Sequence, residues 1–170
     1  GDPLFPVGDP GEQLEAPAEE VPVKVETIDR YSPSILRKDR TKVYLFGDNL
    51  IGMGKGGQAI IRDEPNAYGI PTKKKPTMMK DAFMTDDEYD SNIKAIDAAF
   101  NVIPASYRTI VLPADGLGTG LAKLKEKAPR TFAHLQGRIE ELKTLAAEEA
   151  PASLEKEILG ILGDKPTKVG

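Results

Sequence analysis

The chain has 170 residues, 39% of them hydrophobic and 29% charged, and a formal net charge of −4. That suits one soluble α/β-sized domain with its own core, and the acidic balance argues against a general nucleic-acid binder, which carries a basic domain. With no Cys and a single His, His134, a disulfide framework, a thiolate metal site and a Cys nucleophile are excluded, and a His-built metal site or Ser-His-Asp triad is disfavoured.

No metal and no cofactor is expected. No apolar run approaches ~18 residues, so no segment is read as spanning a membrane. No signal peptide is visible, and the expected location is the cytoplasm. A start at Gly1 instead of Met reads as a processed chain or a fragment.

Residues 1–20 are rich in Pro, Gly and acid and lack periodicity, so they read as an extended arm. Val21 to Thr27 alternates, with Val21, Val23 and Val25 on one side, and reads as a half-exposed edge strand. Asp29 to Lys42 is polar and reads as turn. Val43 to Phe46 is a short apolar run, suited to a strand buried on both faces. Glycines at 47, 52, 54, 56 and 57 make a loop, and Gln58 to Arg62 reads as the first turns of a helix.

Pro65-Asn66 breaks that helix. Ala67 to Thr72 reads as a strand weakened by Gly69 and Pro71. Lys73, Lys74 and Lys75 form a basic cluster, either a solvated turn or a phosphate-attracting rim. Thr85-Asp86-Asp87-Glu88 matches a capping box and starts a helix to about Val102. Its apolar face is Tyr89, Ile93, Ile96 and Phe100. Thr109 to Pro113 is a second buried strand, leading into A-D-G-L-G-T-G-L-A. A helix from about Pro129 to Glu148 carries Phe132, Leu135, Ile139 and Leu142 as its core stripe. Ala152 to Leu162 reads as a separate short helix ended by Gly163. The core domain thus spans residues 21–150, followed by a C-terminal helix and tail at 151–170. Helices alternating with buried strands indicate a mixed α/β fold with a largely parallel sheet.

A buried strand, a glycine-rich loop and a helix start make an anion cradle. Glycines let backbone N–H groups approach an anion closely. This unit occurs twice, and two such loops converge at the C-terminal edge of an α/β sheet, where ligands bind. A Walker A loop does not match: Asn49 stands where its first glycine is needed, and no Ser or Thr follows Lys55. G-L-G-T-G-L is not a dinucleotide fingerprint.

The two loops together resemble the macrodomains, which bind ADP-ribose. L-F-G-D-N-L-I-G-M-G-K-G-G-Q-A-I-I is similar to their strand ending in Asn and then a glycine run, and L-P-A-D-G-L-G-T-G-L-A-K-L is similar to their second signature. The resemblance implies a three-layer α/β/α fold with a mixed, largely parallel sheet, close to microbial or phage-encoded members. It also implies that Asn49 contacts the distal ribose. Gly54, Gly56 and Gly57 would line ribose and diphosphate. Gly118, Thr119, Gly120 and Leu121 would wrap the diphosphate from the other side.

The departures are specific. The family's adenine-holding Asp sits in a G-D-I-T-like stretch that is missing, and Ile28-Asp29 is the nearest acid. Gln58-Ala59 follows the glycine run where hydrolases carry Asp, and Ala122 stands where a sub-family has a catalytic Asp. Lys73 or Lys74 corresponds loosely to a lysine of that sub-family. Three functions follow as expectations. The first is a module binding ADP-ribose or a related nucleotide, free or on a modified protein or nucleic acid. The second is an ADP-ribosyl hydrolase, with Asp48 and Asn49 as catalytic candidates and Asp115 as a further acid. The third is an interaction protein that has lost the ligand.

Overall fold

The computed structural model describes residues 23–164, with side-chain surroundings up to residue 147. The expected arm at residues 1–20, and Val21 of the expected first strand, lie outside that range. The chain divides into two units, and the one spanning Lys24–Thr144 holds the sheet.

Four strands, β1 (Lys24–Ile28), β2 (Lys42–Asn49), β3 (Ala67–Lys73) and β4 (Thr109–Pro113), lie in the order β1-β4-β2-β3. Every neighbouring pair is parallel, and among the described residues one isolated antiparallel bridge joins Lys73 and Phe83. The helices are α1 (Pro33–Lys38), α2 (Tyr89–Asn101), α3 (Leu124–Lys127) and α4 (Pro129–Asp164). Together they make a small three-layer α/β/α fold with a parallel central sheet. No helix among the described residues is long and apolar enough to cross a membrane.

Strand alternation sorts the core into two layers. Tyr44 and Phe46 of β2 and Val111 of β4 pack with Leu36 of α1, Tyr31, and Ala59 and Ile61 of the turn after the first glycine loop. Val43, Leu45, Ile110 and Leu112 point to the other side, where α2 and α4 bury Ile96, Phe100, Leu135 and Ile139. Tyr89 and Ile93 of α2, and Phe132 and Leu142 of α4, are half-buried at the margins of that layer. A polar seam joins α2 and α4. Asp97 receives Nε2 of His134 and Nη1 of Arg138, each at 2.7 Å.

Several sequence expectations need correction. The stretch read as turn contains α1. Ser32-Pro33 marks its start, because Pro suits the first helical position, where no N–H bond is needed. Gln58 to Arg62 does not open an α-helix but a 3₁₀ turn, Gly57–Ile61. The Thr85 box makes no side-chain cap bond. A 3₁₀ turn at Asp86–Glu88 precedes α2, and Asp86 is turned to α4, accepting the N–H groups of Arg130 at 2.8 Å and Thr131 at 3.0 Å. An acid satisfying the free N–H groups of another helix is a cap supplied through space. The separate helix expected at Ala152 to Leu162 is part of one continuous α4, which runs past Gly163 to Asp164. β3, weak on paper, is a full strand, and Pro71 is tolerated because β3 is an edge.

One feature of the sheet prepares a site. β2 and β4 pair over Lys42↔Thr109, Val43↔Ile110 and Tyr44↔Val111, and there their ladder stops. β2 continues beside β3 to Asn49, and β4 beside β1 to Pro113. The sheet therefore divides at its C-terminal edge. Tyr31, only 9% exposed, places its hydroxyl in the gap, 2.6 Å from the carbonyl of Leu45 and 3.1 Å from that of Val111. Those carbonyls flank the point of separation, and an unmet buried acceptor is costly.

Burial, followed by the neighbouring Tyr44, pushes the Tyr31 phenol well above its ordinary range. A raised phenol favours the neutral form in the folded state. Its stabilisation is therefore complete below the unfolded value near ~10 and is lost as the pH rises above it. Tyr31→Phe is expected to lower stability by roughly 1–2 kcal/mol at neutral pH in urea denaturation. The loss of stability above pH ~10 should be shallower in the variant. A variant as stable as the parent would show that the hydroxyl does not bind the two strand ends.

Candidate functional site

The divided edge opens into a cleft of about 720 Å³, within the range of small-molecule sites. Each strand contributes its C-terminal end. Asp29 and Arg30 follow β1, Gly47 to Asn49 close β2, Thr72 and Lys73 close β3, and Pro113 closes β4. The crevice beyond the C-terminal ends of parallel strands is where open α/β sheets take ligands. All the residues singled out in the two loops, Asp48, Asn49, Gly54, Gly56, Gly57, Gly118, Thr119, Gly120 and Leu121, line this one cleft, as does Asp115.

The first loop is held from behind by Arg62. Its Nη1 and Nη2 reach the Asp48 carboxylate at 3.0 and 2.5 Å, a forked charge-assisted pair. Nε donates to the carbonyl of Gly54 at 2.7 Å, and Nη2 also donates to that of Met53 at 3.1 Å. In a trans peptide the N–H points opposite to the C=O of the same unit. With the Met53 and Gly54 carbonyls drawn to Arg62, the N–H groups of Gly54 and Lys55 face away from it, and they have no partner among the described residues. Gly54 sits at φ +99°, a conformation side chains rarely adopt.

Asn49 acts inside the loop. Its Oδ1 accepts the N–H of Gly52 at 2.9 Å and of Ile51 at 3.1 Å, and its Nδ2 donates to the carbonyl of Met53 at 2.8 Å. This is an Asx-type turn. Asn49 therefore shapes the loop, and its amide is engaged there. Asp48 is likewise occupied, accepting the N–H of Asn49 at 2.7 Å besides the Arg62 fork. Gly69 makes room for it: a Cβ there would stand 2.4 Å from Oδ2 of Asp48 and 2.7 Å from its Cβ.

The second loop winds through positive φ at Gly116, Gly118 and Gly120. Gly116 N–H closes a turn onto Pro113, and Leu124 N–H bonds Gly118 O at 2.9 Å. Thr119 Oγ1 donates to Asp115 O at 2.9 Å. The N–H groups of Gly118, Thr119 and Gly120 have no partner among the described residues.

Sequence reasoning passed over the residue that joins the loops. Gln58 Oε1 accepts the N–H of Gly47 at 2.8 Å, and its Nε2 donates to Gly116 O at 3.0 Å. One amide thus spans the parted ends of β2 and β4. Its only signal in the sequence is a Gln directly after the glycine run.

Of the three clustered lysines, only Lys73 lines the cleft. Lys74 pairs with Glu88 and Lys75 with Asp81. A bulge between Asp48 and Asn49 sets Lys73 opposite Asn49. Its ammonium donates to Thr77 O and lies 5.0 Å from the Phe83 ring centre, with no acidic partner among the described residues. Burial lowers its pKa from the usual lysine value. Arg30 is exposed at the opposite end. Among the described residues no three His, Asp or Glu side chains gather to hold a metal ion. A second hollow of about 420 Å³ beside the start of α2 is mainly acidic. Its Asp86 caps α4, and its Arg130 lies 3.9 Å from the Tyr89 ring centre.

The chain belongs to a family of unknown function, DUF7831, whose model matches residues 26–138. That span runs from β1 into α4 and includes the whole cleft. Neither a curated protein nor a solved structure matches the chain.

Gln58→Ala is expected to destabilise by roughly 1–2 kcal/mol, since it strands a backbone donor and an acceptor. Amide exchange at Gly47 and at Gly116 should quicken together. Faster exchange in only one of the two loops would contradict the coupling through Gln58.

Proposed function

We propose that this member of the family binds ADP-ribose, or a related nucleoside diphosphate joined to a sugar, in the cleft between its two glycine loops. The single observation that carries this reading is the convergence of those loops. They leave β2 and β4 where the sheet divides, and both present N–H groups without a partner among the described residues. A diphosphate needs several donors at short range, and glycine admits them. Lys73 adds an unneutralised cation at one end. The loop sequences add the macrodomain resemblance, under which the fold is a compact form of that family. Asp29, at the end of β1, lines the cleft but does not match the adenine-holding stretch of that family.

The geometry favours binding over turnover by Asp48, whose carboxylate is already engaged by the Arg62 fork and the N–H of Asn49, so that taking up a proton would cost it that ion pair. A second reading, an ADP-ribosyl hydrolase, rests on one specific observation: Lys73 is a half-buried amine of lowered pKa, in the cleft, without an acidic partner. The neutral amine of a desolvated lysine would attack the sugar C1 as the bond from C1 to the modified protein breaks, the departing atom taking up a proton, and water would then cleave the lysine adduct to release ADP-ribose.

Titration calorimetry with ADP-ribose tests the first reading. A dissociation constant of about 1–50 μM is expected, worth roughly 6–8 kcal/mol. Gly56 has open space and ordinary φ, so Gly56→Glu should fold normally and raise the constant at least ~30-fold by placing a carboxylate against the diphosphate. Thr119→Glu should do the same from the other loop. No binding at millimolar ligand, or no effect of either carboxylate, would reject the site. For the second reading, release of ADP-ribose from a modified protein should be lost in Lys73→Met while binding persists. Equal release by parent and variant would remove Lys73 from the reaction.

A further inference from the structure

The strap after β3, residues 74–82, is held at its tip by the ammonium of Lys73. Its neck is closed by the Lys73–Phe83 bridge and by the N–H of Lys74, which bonds Ala82 O at 2.7 Å. At the tip the Lys73 ammonium donates to the carbonyl of Thr77 and to Sδ of Met78, the sulfur contact at 3.6 Å. Met78 and Lys73 line the cleft together, and Met79 lies outside its lining.

An ammonium has three N–H donors and makes its strongest bonds to charged oxygen. Here one donor meets a carbonyl, another meets a thioether, which is a weak acceptor, and the Phe83 ring centre stands 5.0 Å away. Lys73 is thus a cation with neutral partners, and of these Met78 is the one that simple chemistry changes. The chain has four methionines. Met84 is fully buried, whereas Met53, Met78 and Met79 are 60%, 50% and 67% exposed and open to a small oxidant. Among the described residues only the sulfur of Met78 bonds a charged group.

We propose that Met78 is a site of reversible oxidation by peroxide, and that its sulfoxide ties the Lys73 ammonium to the strap and withdraws it from the ligand of the cleft. The thioether sulfur gives an electron pair to one oxygen of hydrogen peroxide as the O–O bond breaks. The other oxygen leaves as water, taking up the proton that the transferred oxygen sheds. Sulfur is oxidised by two electrons and the peroxide is reduced by two. The product is a polar sulfoxide, which sulfoxide reductases return to the thioether. At the present distance from sulfur to nitrogen, the added oxygen of one sulfoxide epimer comes within hydrogen-bond reach of the ammonium without a shift of the strap. A bond to the charged form favours that form. Lys73 then persists as an ammonium to higher pH, is poorer as an amine, and has one donor fewer for an anion. The effect on the ligand rests on the nucleotide reading of the cleft, whereas the tie between Met78 and Lys73 stands apart from it.

The test treats the parent, Met78→Leu and Met78→Gln with hydrogen peroxide and reads oxidation residue by residue by mass spectrometry. Two quantities are followed: the rate at which an acylating reagent labels Lys73 across roughly pH 7 to 10, and the affinity for ADP-ribose. Oxidation of Met78 in the parent is expected to move the Lys73 labelling profile to higher pH, slowing it about threefold near pH ~8, and to raise the dissociation constant about fivefold. Methionine sulfoxide reductase should restore both. Met78→Leu, oxidised at Met53 and Met79, should match its own untreated form. Met78→Gln, whose amide oxygen copies the acceptor, should show the moved profile without peroxide. An unmoved Lys73 profile with Met78 fully oxidised, or an equal change in treated Met78→Leu, would overturn the proposal. A moved profile with unchanged affinity would overturn the withdrawal of Lys73 from the ligand. Absence of ADP-ribose binding by the untreated parent would reject the nucleotide reading instead, and the labelling profile would still decide the tie between Met78 and Lys73.

Discussion

The structure depends on the parting of β2 and β4. Parallel strands that stayed paired to their ends would leave no crevice at the C-terminal edge. Here the ladder ends at Tyr44↔Val111, and two side chains take over its role. Tyr31 meets two carbonyls inside the gap, and Gln58 joins Gly47 to Gly116 across its mouth. Both use neutral hydrogen bonds in surroundings where an unmet polar group is costly. The cleft is thus held open by groups that also satisfy the backbone it exposes.

Around that opening, polar side chains work as scaffolding before any ligand arrives. The Arg62–Asp48 fork fixes the first glycine loop, and Asn49 folds that loop upon itself. Behind them, Asn66 is 1% exposed and points its amide nitrogen at the carbonyls of Leu36, Asp39 and Lys42. Glu64 takes Arg37 and Arg40. The turn before β3 is thereby tied to the end of α1 and the start of β2. A preorganised loop loses less on ordering when an anion binds. That is the physical sense of spending two strong residues, Asp48 and Arg62, on a loop and not on a ligand.

What was legible in the sequence followed local rules. Val43 to Phe46 and Thr109 to Pro113 read as buried strands because their apolar runs are short and bounded by glycine or proline, and both glycine loops were found because φ above zero leaves a compositional trace. The parallel sheet followed from the alternation of helix and strand. The roles of individual polar residues were not legible, because they are set by contacts distant in sequence. Asp48 reads as a free acid in the sequence, and Arg62, fourteen residues on, engages it in the fold. Asp86 reads as the interior of a capping box, and in the fold its carboxylate caps α4 instead. Gln58 and Tyr31 gave no motif at all. α1 was missed because six residues are too few for periodicity, although Ser32-Pro33 marked its start.

If the cleft holds a diphosphate as proposed, the free N–H groups of both glycine loops face the same anion. Amide chemical-shift mapping by NMR during titration with ADP-ribose tests it most directly. The predicted result is that Gly54, Lys55 and Gly56 shift together with Gly118, Thr119 and Gly120, along one saturation curve, while α2 and α4 stay still. Shifts confined to one loop, or spread with no focus on either, would contradict it.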